Sequence, residues 1–181
     1  MTAASCLQKT GNGCPAASEA VFTSRFFAPY QHAIESVLEV LCDVRRRTSG
    51  FCDVHAITFR LKSPASIRGK LIKKQLPATA ACAHAALQDI AGLRVVLGST
   101  QAVYHFAAFL RACPALELIE EQDYIAHPKR SGYRSLHLIV RIPVYIDDQP
   151  YMVPAEIQLR TTSMDIWASI EHELIYKPIQ S

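Results

Sequence analysis

The sequence predicts an α/β (α+β) domain, because runs with the two-residue periodicity of strands alternate along the chain with longer runs of helical spacing. About five runs of each kind follow one another between Pro29 and Tyr176. The chain has 181 residues, half of them hydrophobic, which is enough to bury a real core. We therefore expect one domain, or one domain with an appended helix.

The first part of the chain is predicted to hold a tail and a helix. Residues 1–18 contain a single lysine and no continuous apolar stretch, so they match neither a secretory signal nor a transit peptide, and a disordered tail is expected. Residues 19–50 form a helical segment ahead of the main domain at 51–181. Its helix is predicted from Pro29 to Arg47, with apolar residues at helical spacing: Ile34, Val37, Leu38, Leu41 and Val44.

A basic window without any acidic residue lies between Asp53 and Asp89. It contains six cations, namely Arg60, Lys62, Arg68, Lys70, Lys73 and Lys74. Runs of charge are commonly solvated surfaces. Here nothing nearby neutralises the cations, so a ligand with several negative charges, such as a triphosphate, is the alternative.

Two elements are predicted to carry these cations. A strand puts Arg60 and Lys62 on one face, while the other face, predicted to be buried, carries Ile57, Phe59 and Leu61. Pro64 then opens a helix, one side of which presents Ser66, Lys70 and Lys73.

The middle of the chain is predicted to form a helix, a central strand, a second helix and a further strand. The alanine-rich stretch from Thr79 to Leu87 is helical, and the nearly continuous apolar run Leu93 to Leu97 is a central strand with Asp89 where it begins. Thr100 can cap the next helix, and Leu116 to Glu121 follows as a strand. The buried stripe of that helix is Val103, Phe106, Ala107, Leu110 and Cys113.

The stretch from His127 to His137 is predicted to be a functional loop that runs into a strand. Gly132 lets the backbone bend, and Tyr133 offers a flat ring to a base. Its cations suit phosphate: Lys129, Arg130 and Arg134. The alternative is an ordinary surface turn whose tyrosine packs on its own strand.

Two long strands follow the loop. Ser135 to Ile146 is predicted to turn at Asp147 to Pro150 and to return along Tyr151 to Arg160. On the returning strand one face is apolar, and the other carries Glu156, Gln158 and Arg160. A carboxylate in the middle of that strand indicates either a functional group or an exposed residue on a one-sided sheet.

The last helix is predicted from Thr162 to Tyr176. Thr162 and Asp165 have the spacing of a capping box. Its apolar stripe, in which Trp167 is expected to be a core residue, consists of Ile166, Trp167, Ile170 and Leu174.

Asp89 and Glu156 are predicted to hold Mg²⁺ together with substrate phosphates, because one or two carboxylates plus phosphates are a common Mg²⁺ environment. Glu156 is also placed to accept a proton from an attacking hydroxyl. The sequence has no glycine-rich phosphate loop of the Walker or dinucleotide type and no nucleophile elbow. Residue patterns alone therefore predict Mg²⁺-dependent transfer chemistry on a nucleotide.

Cysteine usage and hydropathy bear on location. The six cysteines include no Cys-x-x-Cys pair and no zinc-ligand spacing, so a reducing cytoplasm is expected. No apolar run is long enough to cross a bilayer, and no membrane partner is expected.

Four segments in the same order resemble the synthetase domain of the RelA/SpoT family, in particular its small alarmone synthetases, the GTP pyrophosphokinases. These segments are RLKSPASIRGK, QDIAGLRVV, DYIAHPKRSGYRSLH and EIQLRTTSMDIWASIEHELIYK, and they lie between Ala56 and Lys177. The resemblance implies a polymerase-β-like nucleotidyltransferase fold, in which helices flank a mixed sheet. It also implies transfer of pyrophosphate from ATP to the 3′-hydroxyl of GDP or GTP, which releases AMP.

The resemblance implies roles for individual residues. On the ATP side, Arg60 and Arg94 would sandwich the adenine, and the phosphates would be bound by Lys62, Ser66 and Lys70. Asp89 and Glu156 would hold the metal, with Glu156 also activating the acceptor hydroxyl. On the acceptor side, Tyr133 would stack on guanine, and the neighbouring contacts would come from Lys129, His137 and Gln158.

Partners and alternatives follow from the same resemblance. Family members form a homo-oligomer, a tetramer held partly by C-terminal helices, and this sequence has few residues after its last motif. Some relatives bind single-stranded RNA, so a non-catalytic RNA-binding module is one alternative. Another is a toxin-type relative that modifies adenosine nucleotides or the 3′ end of tRNA.

Overall fold

The structure, a computed structural model, describes residues 21–176, with side chains to Glu171. The tail predicted at 1–18 lies outside the described residues. Within residues 21–176, ten elements follow one another: α1 (Ser24–Thr48), β1 (Val54–Leu61), α2 (Pro64–Lys73), α3 (Ala80–Ala86), β2 (Ala91–Leu97), α4 (Thr100–Arg111), β3 (Glu117–Asp123), β4 (Leu136–Ile146), β5 (Gln149–Thr161) and α5 (Thr162–Tyr176).

The five strands form one mixed sheet in the order β1-β2-β5-β4-β3. β2 and β5 run parallel, and the other neighbouring pairs run antiparallel. Helices flank the sheet, so the predicted fold class is confirmed. The parallel pair lies inside the sheet, which explains why β2 is apolar on both faces over most of its length.

One face of the sheet is covered by α1 and α4, and this side contains the core. The helices bury residues at i, i+3, i+4 and i+7 spacing, because only one stripe of each helix meets the sheet. From α1 these include Phe26, Tyr30, Ile34, Val37, Leu41 and Val44, and from α4 Val103, Phe106, Ala107 and Leu110. The opposite face of β5 is left to α5 and to polar side chains.

The start of α1 and the capping residues of α4 and α5 differ from the predictions. α1 begins at Ser24, so Pro29 lies inside it and not in its first turn. The side chain of Ser99, and not of Thr100, caps α4 by accepting a hydrogen bond from the Ala102 amide. At α5 the Thr161 hydroxyl accepts from the Met164 amide, and the predicted capping partner Asp165 binds arginines instead. At α4 and α5, the capping hydroxyl belongs to the Ser or Thr that lies one residue before the predicted one.

Two predictions of burial are wrong. Phe59 is 60% exposed, because β1 is an edge strand and only Ile57 and Leu61 of that face pack against the core. On α5 the side chains of Ile166, Trp167 and Ile170 are exposed, because the face of the sheet that α5 covers is polar. The side chain of Leu174 lies outside the described part of the chain.

The turn between β4 and β5 is tighter than predicted. Asp147 and Asp148 both have positive φ angles, 50° and 60°, and β5 begins directly after them at Gln149. Two central residues with positive φ make a turn whose twist matches a β-hairpin. Among the described residues, no helix is both long and apolar enough to cross a membrane.

Candidate active site

The polar face of the sheet carries two rows of side chains that cross neighbouring strands. Strand pairing aligns one row as Thr58, Arg94, Gln158 and His137. The next row contains Arg60, Gly92, Glu156 and Ile139. Residues paired in this way point to the same face, so the sheet itself gathers groups that are far apart in sequence.

A cavity of about 850 Å³ lies over these rows. Its lining includes nine residues predicted for the site, namely Arg60, Lys70, Asp89, Arg94, Lys129, Tyr133, His137, Glu156 and Gln158. A smaller cleft of about 190 Å³ extends it toward β1 and shares Arg60, Asp89, Arg94, Glu156 and Gln158. The volume of the larger cavity is in the range of sites that hold small organic ligands.

Asp89 is held by two lysines. Its Oδ2 atom lies 2.9 Å from the Lys62 amine and 2.7 Å from the Lys70 amine. Burial alone would raise the pKa of Asp89, but these lysines outweigh it and the pKa is lowered. The other oxygen, Oδ1, is buried and has no hydrogen-bond partner. Asp89 therefore keeps its charge and presents one unused acceptor atom.

Glu156 accepts a hydrogen bond at each oxygen. Oε1 lies 3.0 Å from His137 Nδ1, and Oε2 accepts from the Gln158 amide at 2.7 Å. Burial and the nearby charge of Asp89 act to raise the pKa of Glu156, but His137 and Gln158 lower it overall. The carboxylate is thus in its ionised form, which is the form able to accept a proton.

The two carboxylates suit a divalent cation only if a ligand completes the shell. They line one cavity, their charges act on each other, and the unpartnered Asp89 Oδ1 is a suitable ligand atom. Within the described residues, no group of three or more His, Cys, Asp and Glu side chains is arranged to hold a metal. Two carboxylates plus phosphate oxygens match the way proteins commonly bind Mg²⁺.

Tyr133 lies between cations and other rings. Its hydroxyl is 2.8 Å from His137 Nε2, and the Lys129 amine lies 4.7 Å from the centre of its ring. The same amine lies 4.4 Å from the ring of Tyr124, so the exposed Lys129 lies over both rings. Burial is the main reason why the pKa of Tyr133 is raised.

Three arginines, Arg60, Arg94 and Arg160, line the cavity, and Arg160 also contacts Tyr133. Arg94 and Arg160 both donate to the Oδ1 atom of Asp165, at 3.1 and 3.2 Å. Burial and the neighbouring Arg160 lower the pKa of Arg94, Asp165 partly compensates, and Arg60 lowers it further. One shared carboxylate beside three guanidiniums leaves net positive charge, which favours an anionic ligand.

Gly92 leaves space between the side chains of Arg60 and Glu156, which are its partners on the two neighbouring strands. A β-carbon at this position would meet the side chain of Arg60 at 3.7 Å, which is ordinary van der Waals contact. It would nevertheless project into the cleft that Arg60 and Glu156 line. The backbone of β2 thus forms part of the floor of the site.

The loop before β4 is braced by α5. Gly132 has φ +81°, and a β-carbon there would lie 3.5 Å from the ring of Trp167. The indole N–H donates to the carbonyl of Ser131 at 3.3 Å. Trp167, predicted to be a core residue, instead packs against the loop that carries Tyr133.

Some residues do not match the predicted site. Ser66 is exposed, accepts a hydrogen bond from the Ser63 hydroxyl and does not line the cavity. Lys62 does not line the cavity either, but it contacts the site through its ion pair with Asp89. Arg160 and Asp165 were not predicted as site residues. The alternation of β5 already placed Arg160 on the same face as Glu156, and this was the sequence pattern that could have identified Arg160 as a site residue.

Comparisons with known proteins bear on the family to which the chain belongs. A family profile described as "Region found in RelA / SpoT proteins" matches residues 59–181. The GTP pyrophosphokinase YwaC of Bacillus subtilis (strain 168) is 34% identical over 145 residues, which are 80% of this chain and 69% of that protein.

Solved structures are also similar. Small alarmone synthetase 1 from Bacillus subtilis bound to its product pppGpp superposes with a TM-score of 0.76 at 35% identity, covering 84% of this chain and 78% of that one. The same synthetase bound to AMPCPP gives a TM-score of 0.69 at 30% identity, covering 84% and 76%. The family profile and the similarity to YwaC together show that this chain belongs to the RelA/SpoT family.

Proposed function

We propose that the protein is a GTP pyrophosphokinase that transfers the pyrophosphate of ATP to the 3′-hydroxyl of GDP or GTP. The main support is that Asp89 and Glu156 line the same cavity as a cluster of cations. Relatives named GTP pyrophosphokinases, and a neighbour bound to pppGpp, support the same activity. They do not favour the toxin-type and RNA-binding alternatives.

The reaction forms a bond between the acceptor 3′-oxygen and the β-phosphorus of ATP. The bond from that phosphorus to the oxygen bridging the α- and β-phosphates breaks, and AMP leaves. Glu156, ionised and hydrogen-bonded on both oxygens, accepts the proton of the attacking hydroxyl. General-base catalysis of this kind contributes about 10² to 10⁴ in rate.

The β1–β2 side of the cavity is proposed to bind ATP. Arg60 and Arg94 face the same cleft and offer planar guanidiniums to the adenine. Lys62 and Lys70 bind Asp89 in this structure and would also contact the donor phosphates, with Ser66 one helical turn before Lys70. A structural neighbour bound to AMPCPP supports a donor site of this type.

The β4 side is proposed to bind the acceptor. Tyr133 offers its ring to the guanine, a contact worth about 1 to 3 kcal/mol, and Lys129 and His137 bind phosphates. Gln158 on β5 pairs with His137 on β4. Its side-chain amide donates a hydrogen bond to Glu156. This arrangement would bring the acceptor hydroxyl next to the carboxylate.

Asp89 and Glu156 are proposed to hold Mg²⁺ together with phosphate oxygens. When bound, the ion would offset phosphate charge and orient the donor. The lysines keep Asp89 ionised, and Gln158 and His137 keep Glu156 ionised, so both residues are ready to act as ligands.

The activity is tested with purified protein, Mg²⁺, ATP labelled at the β-phosphate, and GDP, GTP, an adenosine nucleotide and tRNA offered together. We expect AMP release and label on the 3′ position of the guanosine nucleotide. Label on the adenosine nucleotide or tRNA would favour the toxin-type alternative. No transfer to any acceptor would contradict the proposal.

Three further expectations stay proposals. A cytoplasmic location agrees with an enzyme that consumes ATP and GDP or GTP. A homo-oligomer is tested by light scattering of the purified protein. Binding of single-stranded RNA is tested by titration at two salt concentrations, because contacts to phosphates weaken steeply with salt.

A further inference from the structure

We propose that Arg160 is a positioning residue that holds the donor side and the acceptor side of the cavity in a fixed relation. The inference rests on the proposed function and assigns a role to a residue to which neither the resemblance nor the reaction gave one. Arg160 lies on β5, four residues after Glu156, and it does not contact Glu156 directly.

The burial of Arg160 calls for an explanation. The residue is only 4% exposed, yet it carries a permanent charge. Burying a charge is costly unless it is paired and hydrogen-bonded, and an apolar residue in the same place is often at least as good for stability. Its neighbour on β2 is Val96, so an apolar side chain would also have suited this position.

One arm of Arg160 reaches the donor side. Its NH1 group donates to Asp165 Oδ1 at 3.2 Å, and the same oxygen accepts from Arg94 at 3.1 Å. Asp165 is therefore placed by two guanidiniums at once. Because Arg94 is proposed to contact adenine, the position of that contact depends on Arg160 through Asp165.

The other arm reaches the acceptor side. The NH2 group donates to the Tyr133 hydroxyl at 2.6 Å and to Gln158 Oε1 at 2.7 Å. The guanidinium carbon also lies 5.1 Å from the centre of the Tyr133 ring. Both residues belong to the proposed acceptor site, so one planar group determines where two acceptor contacts lie.

The direction of these hydrogen bonds follows from chemistry. A guanidinium has donors and no acceptor, so the Tyr133 oxygen must accept from Arg160 and its O–H is left to donate to His137 Nε2, 2.8 Å away. Gln158 Oε1 likewise accepts from Arg160, which turns the amide nitrogen toward Glu156. Lysine cannot reproduce this, because a single ammonium has no planar fork that reaches both sides.

The test compares Arg160→Met and Arg160→Lys with two variants that each cut one arm, Asp165→Asn and Tyr133→Phe. In the Arg160→Met variant we expect KM to rise about tenfold for ATP and for the acceptor, the factor that corresponds to about 1.4 kcal/mol at each site. Asp165→Asn should raise mainly KM for ATP, and Tyr133→Phe mainly KM for the acceptor. Arg160→Lys should recover part of the loss.

Controls separate this role from a merely structural one. Arg141→Met removes an exposed arginine of β4, which lies 3.8 Å from Glu117, and should leave both KM values unchanged. Thermal unfolding of every variant identifies losses that come from unfolding. In double-mutant cycles, Arg160→Met should be non-additive with Asp165→Asn for ATP and with Tyr133→Phe for the acceptor.

The inference would be overturned if folded Arg160→Met or Arg160→Lys kept both parental KM values, or if both cycles were additive. Should Arg160→Met fail to fold, Arg160→Lys and the single-arm variants carry the same comparison. An inactive parent protein would instead count against the proposed function, so the two failures are distinguishable.

Discussion

The charge state of Glu156 is determined by two neighbours, His137 and Gln158, which each hydrogen-bond one of its oxygens. They overcome the effects of burial and of Asp89, both of which raise the pKa of Glu156. A single carboxylate is therefore ionised in a buried position, where a carboxylate without such partners would take up a proton more easily.

Replacing Glu156 by Gln should lower kcat by about 10² to 10⁴, because the side chain keeps its shape and loses the ability to accept a proton. Steady-state AMP release measures the effect. Glu117→Gln on β3 is the matched control, because Glu117 is exposed and remote from the cavity lining. Parental kcat in Glu156→Gln would contradict the role proposed for this carboxylate.

Gly92 permits a second prediction at the scale of one residue. Gly92→Ala should raise KM for ATP several-fold with little change in stability, because the added methyl group enters the cleft without a clash. Gly50→Ala, where a β-carbon meets nothing within 4 Å, is the control. Both variants are followed by ATP titration and thermal unfolding. An unchanged KM would show that the nucleotide does not approach this part of β2.

At the scale of elements, the loop between β3 and β4 depends on contacts at both of its ends. Asp123 organises its start, where Oδ1 accepts from the amides of Ile125 and Ala126 and Oδ2 accepts from the Tyr104 hydroxyl. At the other end, Gly132 adopts a positive φ against Trp167 of α5. The loop is thus connected to α4 as well as to α5.

Gly132→Ala should displace the loop, because an alanine at φ +81° is strained by about 1 to 2 kcal/mol and its methyl group meets the indole. We expect a higher KM for the acceptor and an unchanged KM for ATP. Trp167 is the single tryptophan of the chain, so its fluorescence should report the displacement directly. Gly69→Ala, in open space on α2, should alter neither property.

Asp123 should make stability depend on pH. Burial would raise the pKa of Asp123, but hydrogen bonds from Ala126, Tyr104 and Ile125 lower it below the usual 3.8. A carboxyl group whose folded pKa is depressed stabilises the fold fully above its unfolded pKa, and this contribution disappears as pH falls through the folded pKa.

Asp123→Asn should therefore cost about 1 kcal/mol of unfolding free energy at neutral pH and much less in acid below the folded pKa. Urea unfolding of the parent and the variant at both pH values measures the difference. If the variant lost the same free energy of unfolding at both pH values, the lowered pKa of Asp123 would be contradicted, because only a loss that comes from the ionised carboxylate depends on pH.

At the scale of the whole molecule, the sheet separates stability from chemistry. The helices α1 and α4 cover one face and bury the core, while the other face holds the cavity. Residues that alternate along β5 accordingly divide between the two: Ala155, Ile157 and Leu159 are buried in the core, and the residues between them serve the site.

Leu41→Ala on α1 should reduce the free energy of unfolding by about 2 to 5 kcal/mol, because Leu41 is fully buried in the core. The KM values of the folded fraction should stay parental, since the core lies behind the sheet. Ile72→Ala, at a position 69% exposed, should change stability by less than about 0.5 kcal/mol. A changed KM in folded Leu41→Ala would show that the two faces are coupled.

Periodicity was sufficient to predict which segments are strands and which are helices, because strands and helices space their apolar residues differently. It placed α5 at Thr162–Tyr176, the same bounds that the structure has. Local patterns were weaker at helix starts, where Ser99 and Thr100, or Thr161 and Thr162, offer the same chemistry one residue apart.

The sequence by itself determined the class of fold, the charged residues that are available to bind a nucleotide, and the family to which the protein belongs. Only the tertiary structure decided that Arg160 would be buried between Asp165 and Tyr133, and that Trp167 would brace a loop and not join the core. The physical reason is that periodicity reports the face on which a residue lies, whereas its burial depends on the elements that pack over that face from distant parts of the chain.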